Sequence, residues 1–424
     1  MRSIYWRSEK PPNTIILLFH ATRTSYIANS PAPIELYPPS INQANILVSN
    51  GFRVSTVQES RITKYDFDVG LDDRVERFHI KTEEPPSSLL GRISGVLKYR
   101  QGVQQFIARL RPDIVLAYDA EAAWAIGNSA LRAKSKLAWH FHEIPEYQKH
   151  AWTMNIANNY VWRNAQTPNL IIFPDPGRAE IYAHAGRIDK STIQIVANCP
   201  RPVMCLPKPE LHEALADRIP QQARVVLYHG AIGSFHGLEM ALHSMPQWPS
   251  DAFFVAKGRV KSDYAASLYA LAKSLGVAHR FILIDSGLQS TVEHYAFVSG
   301  ATIGWTVLEP VSNAWKYSAL ASNKRLECMA LGVPQISDNG PLLNDLIEGN
   351  GCGLCIPHDS IDAAAEAVNR LLTNDSLHAQ MAKRARELHL RQYNYDAQFN
   401  TVLARLKDMV DTQKYATAAA PTYS

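Results

Sequence analysis

The chain predicts an α/β protein of two doubly wound domains, and three observations carry that prediction. Short apolar runs alternate with helix-length amphipathic stretches up to about residue 200, the alternation restarts near residue 225, and the interval between is crowded with proline. At 424 residues the chain exceeds what one ordinary core organises and suits two domains of roughly 200 residues each.

In the first half, strands are expected at Ile15–Phe19, Val54–Val57, Ile114–Ala117, Leu137–Phe141, Leu170–Phe173 and Ile193–Val196, short runs dominated by aliphatic and aromatic residues. Helical stretches separate them at about 40–50, 89–110, 120–132, 154–165 and 178–185. Connections of that length imply parallel pairing with right-handed crossovers. Pro200, Pro202, Pro207, Pro209 and Pro220 then fill a stretch that suits neither a continuous helix nor a central strand, so 199–222 reads as the link between domains at 1–200 and 223–391. The second half places strands at Val225–Tyr228, Phe253–Ala256, Phe281–Ile284, Ile303–Trp305 and Gln335–Ser337. A helix starting near Ser360 carries Ile361, Ala364, Ala365, Val368, Leu371 and Leu372 on one face. Residues 396–410 form a last helix striped by Val402, Leu403, Leu406, Met409 and Val410, and the tail from about 412 is expected to be loose. Two such domains leave a cleft at the carboxyl ends of both sheets, so the loops after the strands should hold the chemistry.

Composition excludes several classes. With 46% hydrophobic and 19% charged residues the body reads as globular rather than disordered. A net charge of +4 tolerates an anionic ligand or lipid surface but is too small to argue for nucleic acid. The longest wholly aliphatic or aromatic run, Ile15–Phe19, falls far short of the ~20 residues that span a bilayer. The opening MRSIYWRSEKPPN lacks a signal-peptide core, so the expected location is cytoplasmic, with contact at the inner membrane face left open. Five cysteines, an odd number, argue against a disulfide framework, and the Cys352/Cys355 spacing lacks the second pair a zinc site needs.

The most informative stretch is 322–339, SNKRLECMALGVPQISDN. A helix carrying Lys324 and Glu327 in its first turn ends at Gly332-Val333-Pro334 and runs into a short apolar strand. Three residues apart, Lys324 and Glu327 share a face where free N–H groups and the helix dipole favour anions. An ammonium, N–H groups and a carboxylate suit a ligand with both a phosphate and a sugar diol; the competing reading is a solvated ion pair. The run Lys-x-x-Glu-x-Met-Ala-x-Gly-x-Pro (Lys324, Glu327, Met329, Ala330, Gly332, Pro334) resembles the donor-binding helix of GT-B glycosyltransferases, in particular the retaining family 4. Tyr228-His229-Gly230 with His236-Gly237-Leu238-Glu239, then Gly351-Cys352-Gly353-Leu354, then Met381 to Arg386 resemble neighbouring elements of that family. The resemblance implies two Rossmann-like domains facing across a cleft and a last helix crossing back to the first domain. It also implies a nucleotide-diphosphate-sugar as donor substrate, with no permanently bound cofactor.

On that resemblance, the βα turn Gly230-Ala231-Ile232-Gly233 approaches the diphosphate, and Lys324 is the leading phosphate cation. Ala231 and His236 stand where the family has arginine and lysine, so Lys257 and Arg259, flanking Gly258, are candidate substitutes. Glu327 aligns with the second glutamate of the family's Glu-x7-Glu motif and is expected on the donor ribose, whereas Ala319 replaces the first. The loop with Leu320 and Ala321 is expected to offer backbone N–H groups, and Asp285 and Leu288 resemble the segment framing the base. From the first domain, His142 matches a histidine near the reacting carbon, and Glu143 is expected to orient it or to meet the acceptor. His20, Arg23 and Ser25 follow the first strand where the family has glycines. Asp66-Phe67-Asp68 reads as solvated loop, and no metal is called for. A basic amphipathic helix with Arg92, Lys98, Arg100, Arg109 and Arg111 suits either packing on the sheet or anionic lipid.

The resulting expectation is a glycosyltransferase acting on a hydroxyl of a glycan or lipid-linked glycan, with no nucleic-acid partner. A nucleotide-sugar epimerase of the same fold and a degenerate, non-catalytic binding module stay open as alternatives.

Overall fold

The computed structural model describes residues 13–19, 37–59, 70–80, 89–147, 152–287 and 289–418. The first seven strands are β1 (Thr14–Phe19), β2 (Arg53–Glu59), β3 (Glu76–Ile80), β4 (Ile114–Tyr118), β5 (Lys136–His140), β6 (Leu170–Phe173) and β7 (Ile193–Ile195). They form one sheet in the order β3-β2-β1-β4-β5-β6-β7. A second sheet takes β8 (Arg224–His229), β9 (Ala252–Gly258), β10 (Phe281–Asp285), β11 (Ile303–Trp305), β12 (Gln335–Asp338) and β13 (Gly353–Ile356) in the order β10-β9-β8-β11-β12-β13. Every pairing is parallel, as helix-length crossovers require. Central strands such as β4 are buried along their whole length, which is why they read as unbroken apolar runs.

Strand β3 was not expected. It is a half-exposed edge strand, ERFHI, in which polar residues outnumber Phe78 and Ile80. It is fastened by Arg53 and Ser55 of β2, which reach Glu76 at 2.9 and 3.1 Å. The helix expected at 120–132 is split at Gly127 into Asp119–Ile126 and Ser129–Arg132. The proline-rich link is not wholly extended: Leu211–Ala214 is helical, and Leu211, Leu215 and Ile219 are buried with Val225 and Leu227 of β8.

The last helix, Tyr395–Ala418, crosses back: Val402, Leu406 and Val410 are buried in the same core as Ile15, Leu17 and Ile114. It runs past the expected end at 410 into the segment from about 412 that was expected to be loose. In the helix Leu89–Leu110, Tyr99, Val103 and Ile107 are buried, and Arg100 turns inward over the Trp124 ring at 4.4 Å. Among the described residues no helix is long and apolar enough to cross a membrane. Strand order reverses between β1 and β4 and between β8 and β11, and ligand crevices form at such points, beyond the carboxyl ends of the strands.

Candidate active site

Strand β8 delivers Tyr228, His229 and then Gly230 to one of these reversals. Gly230 has φ 107, a conformation that L side chains rarely adopt. A Cβ there would stand 3.7 Å from Lys324 Cε, so the lysine stem lies beside this turn. Lys324 Nζ donates to the Tyr228 hydroxyl at 3.1 Å and lies 4.5 Å from its ring centroid. Burial, and next the Arg325 guanidinium, pull the Lys324 ammonium down to about 7. Lys324 belongs to the helix Asn323–Leu331, whose N-terminus receives no side-chain cap, leaving first-turn N–H groups for an anion. The helix ends, as the sequence predicts, at Gly332.

One turn on, Glu327 Oε2 accepts from His229 Nε2 at 2.9 Å and from His294 Nε2 at 3.3 Å. Burial raises the carboxyl, but the two imidazoles outweigh it and hold Glu327 well below the usual carboxylate range. Burial keeps His229 low, hence neutral. Among the described residues these three form a group able to hold a metal ion, with ligand atoms within 4.8 Å of one another.

The other expected donor residues stand in varied surroundings. His236 donates through Nδ1 to Gly233 O, and burial with Lys324 pushes it down to about 3, so it brings no charge to a phosphate near neutral pH. Lys257 stacks its ammonium 3.8 Å from the Phe297 ring centroid. Arg259 and Asp285 are exposed; Asp285 Oδ1 accepts from Val260 N at 3.4 Å. Ala231 is exposed, its carbonyl accepting from the Tyr228 hydroxyl. The Leu320 N–H is already engaged by Asp175 Oδ2 at 3.2 Å, and the Leu320 and Ala321 carbonyls accept from Asn198, so this part of the loop ties the domains together. Leu288, His20, Arg23, Ser25 and Asp66-Phe67-Asp68 lie outside the described residues. Cys352 and Cys355 are free thiols, with Cys352 buried.

Gly258 permits a close approach of two strand ends: a Cβ would stand 1.7 Å from the Gly230 carbonyl oxygen. Gly258→Ala is therefore expected to push Gly230 out of place and cost about 1–3 kcal/mol, read by chemical denaturation.

Across the molecule, β5 ends at His140, and His142 follows with the two rings 4.9 Å apart, on one side as strand alternation predicts. His142 Nδ1 donates to Asp119 Oδ2 at 2.9 Å, while Asp119 Oδ1 accepts from the His142 backbone N at 2.7 Å. This fixes the tautomer, leaving Nε2 an acceptor that is buried and unbonded among the described residues. The orienting carboxylate is thus Asp119, which the sequence reading missed, and not Glu143, which pairs with Arg178 at 3.3 Å. Asp119 directly follows β4 with φ 61, and that strand-end position was the available signal. Arg178 in turn bonds the carbonyls of His142, Ala314 and Tyr317, joining the histidine loop to the segment leading to Lys324.

The comparisons agree with this architecture. A glycosyltransferase from Rickettsia africae ESF-5 superposes with a TM-score of 0.70 at 13% identity, covering 94% of this chain and 99% of that one. Sucrose-phosphate synthase from Thermosynechococcus elongatus gives 0.69 at 14% identity over 95% and 100% of the two chains. The fold is GT-B. Anabaena HepE in complex with UDP and glucose gives 0.67 at 16% identity over 93% and 99%. Residues 284–404 of the GT-B chain match a family model described as glycosyl transferase-like. No curated protein matches it in sequence.

Proposed function

We propose that the chain is a glycosyltransferase that moves a sugar from a nucleotide-diphosphate-sugar to a hydroxyl of a glycan or lipid-linked glycan, with retention at the anomeric carbon. The observation that carries this is the cluster at the start of the helix Asn323–Leu331: Lys324 against Gly230, an uncapped first turn and an ionised Glu327. That set matches the diphosphate and ribose of one ligand. HepE, of the same fold, holds UDP and glucose.

In this reading Lys324 and the first-turn N–H groups take up charge as the bond from anomeric carbon to phosphate oxygen breaks. The acceptor oxygen bonds to that carbon on the same face, and its proton passes to the leaving phosphate. His142 Nε2 accepts from a donor-sugar hydroxyl, with Asp119 holding the ring.

One observation favours a second reading, a GT-B module that has lost catalysis. With Ala231 uncharged and His236 neutral near pH 7, Lys324 is left without the family's usual basic partners. Calorimetry and thermal shift with UDP, GDP, ADP and their sugar conjugates decide between the two. Stabilisation by one nucleotide class together with release of the free diphosphate on adding acceptor is the expected result. No binding at millimolar concentration would establish the inert module.

A further inference from the structure

His229 closes β8 and His294 sits on the helix Thr291–Val298, yet both Nε2 atoms converge on one oxygen of Glu327, at 2.9 and 3.3 Å. Their rings stand edge to face with centroids 5.2 Å apart. The second carboxylate oxygen, Oε1, makes no bond among the described residues and is not sealed off, since the Glu327 side chain keeps 12% exposure. A charged hydrogen bond fixes a carboxylate in direction as well as in place, and two donors from separate elements fix it in two. The same three groups are spaced to grip a metal ion. Against that, neither imidazole is oriented through Nδ1 by a carbonyl or carboxylate among the described residues, as ligating histidines usually are, and the Lys324 ammonium acts on His229 as a neighbouring positive charge.

We propose that His229 and His294 are positioning residues: they pin Glu327 by Oε2 so that Oε1 meets the ribose diol of the donor nucleotide, making the site selective for ribonucleotides over 2′-deoxyribonucleotides. This rests on the donor reading above. It assigns a role to two histidines that the Lys-x-x-Glu spacing does not include.

The test is calorimetric titration of the full chain with UDP and 2′-dUDP, with the GDP/dGDP and ADP/dADP pairs in parallel. A hydrogen bond to a charged group is worth roughly tenfold or more, so the wild type should prefer the ribonucleotide by at least ~10-fold. His229→Leu and His294→Leu should cut that preference below about 3-fold. His294→Gln, whose amide can donate to Oε2, should restore most of the preference. His294 is partly exposed, so its variants carry the test if His229→Leu fails to fold. Leucine variants that keep the wild-type preference would overturn the proposal while sparing the donor reading. So would stabilisation by micromolar Zn²⁺ that His294→Leu abolishes, which would mark a metal centre instead. A wild type that binds none of these nucleotides would sink both.

Discussion

Replacing Lys324 with alanine is expected to lower kcat/KM for the nucleotide-sugar by ~10²–10³-fold, a loss of about 3–4 kcal/mol of transition-state stabilisation. The size follows from the surroundings. The lysine is largely desolvated, the other cations expected near the diphosphate are turned onto Phe297 or exposed, and His236 is neutral. The same desolvation gives a signature in pH. With its ammonium at about 7 in the free protein, Lys324 is mostly neutral at pH 8, and an arriving diphosphate returns the proton. Donor affinity should therefore fall as pH rises above about 7, and binding heats in buffers of different ionisation enthalpy should report proton uptake. Both effects should vanish in Lys324→Ala. Stability runs the other way: folded Lys324 binds fewer protons than the unfolded chain between about 7 and ~10.4, so its contribution grows more favourable as pH climbs through that window. A lysine variant with undiminished turnover would remove the ground for placing the phosphates there.

What the sequence exposed and what it hid divide along one line. Central parallel strands are buried on both faces, so Ile114–Ala117, Leu170–Phe173 and Ile303–Trp305 stood out as apolar runs. The Lys324/Glu327 pair was visible because helical spacing alone puts both in one turn. Residues whose role is tertiary were not visible. Asp119 is 23 positions from His142, and His229 and His294 are 98 and 33 from Glu327, so no local spacing marks them. Contacts already made by candidate residues were hidden for the same reason. Lys257 and Leu320 were chosen as groups near a strand end or loop, but only the fold shows that Phe297 and Asp175 already occupy them. Edge strand β3 escaped because solvent on its outer side permits charges that a central strand excludes.

Arg325→Met is expected to destabilise the second domain by about 3–5 kcal/mol, lowering its melting temperature by roughly 10 °C. Next to Lys324 in the chain, Arg325 is completely buried. Its guanidinium bonds Ser337 Oγ at 3.0 Å, Ser318 O and Oγ at 2.9 Å each, Thr306 O at 3.1 Å and Asp338 Oδ1 at 2.5 Å. These partners lie on the residue following β11, on β12 and on the loop before the helix, so one side chain ties the helix Asn323–Leu331 to the sheet and to that loop. Methionine fills the volume but leaves Asp338, only 5% exposed, as a buried carboxylate that keeps the Leu308 N–H at 3.0 Å and loses its countercharge. The double variant Arg325→Met, Asp338→Asn should therefore recover part of the loss, which a purely steric account does not predict. It should also couple to the cleft. Arg325 is the charge that depresses Lys324 after burial, so removing it should raise the lysine and move the alkaline fall in donor affinity to higher pH. A variant that melts with the wild type, or whose donor affinity keeps the wild-type pH dependence, would show that the buried guanidinium neither holds this layer together nor tunes its neighbour.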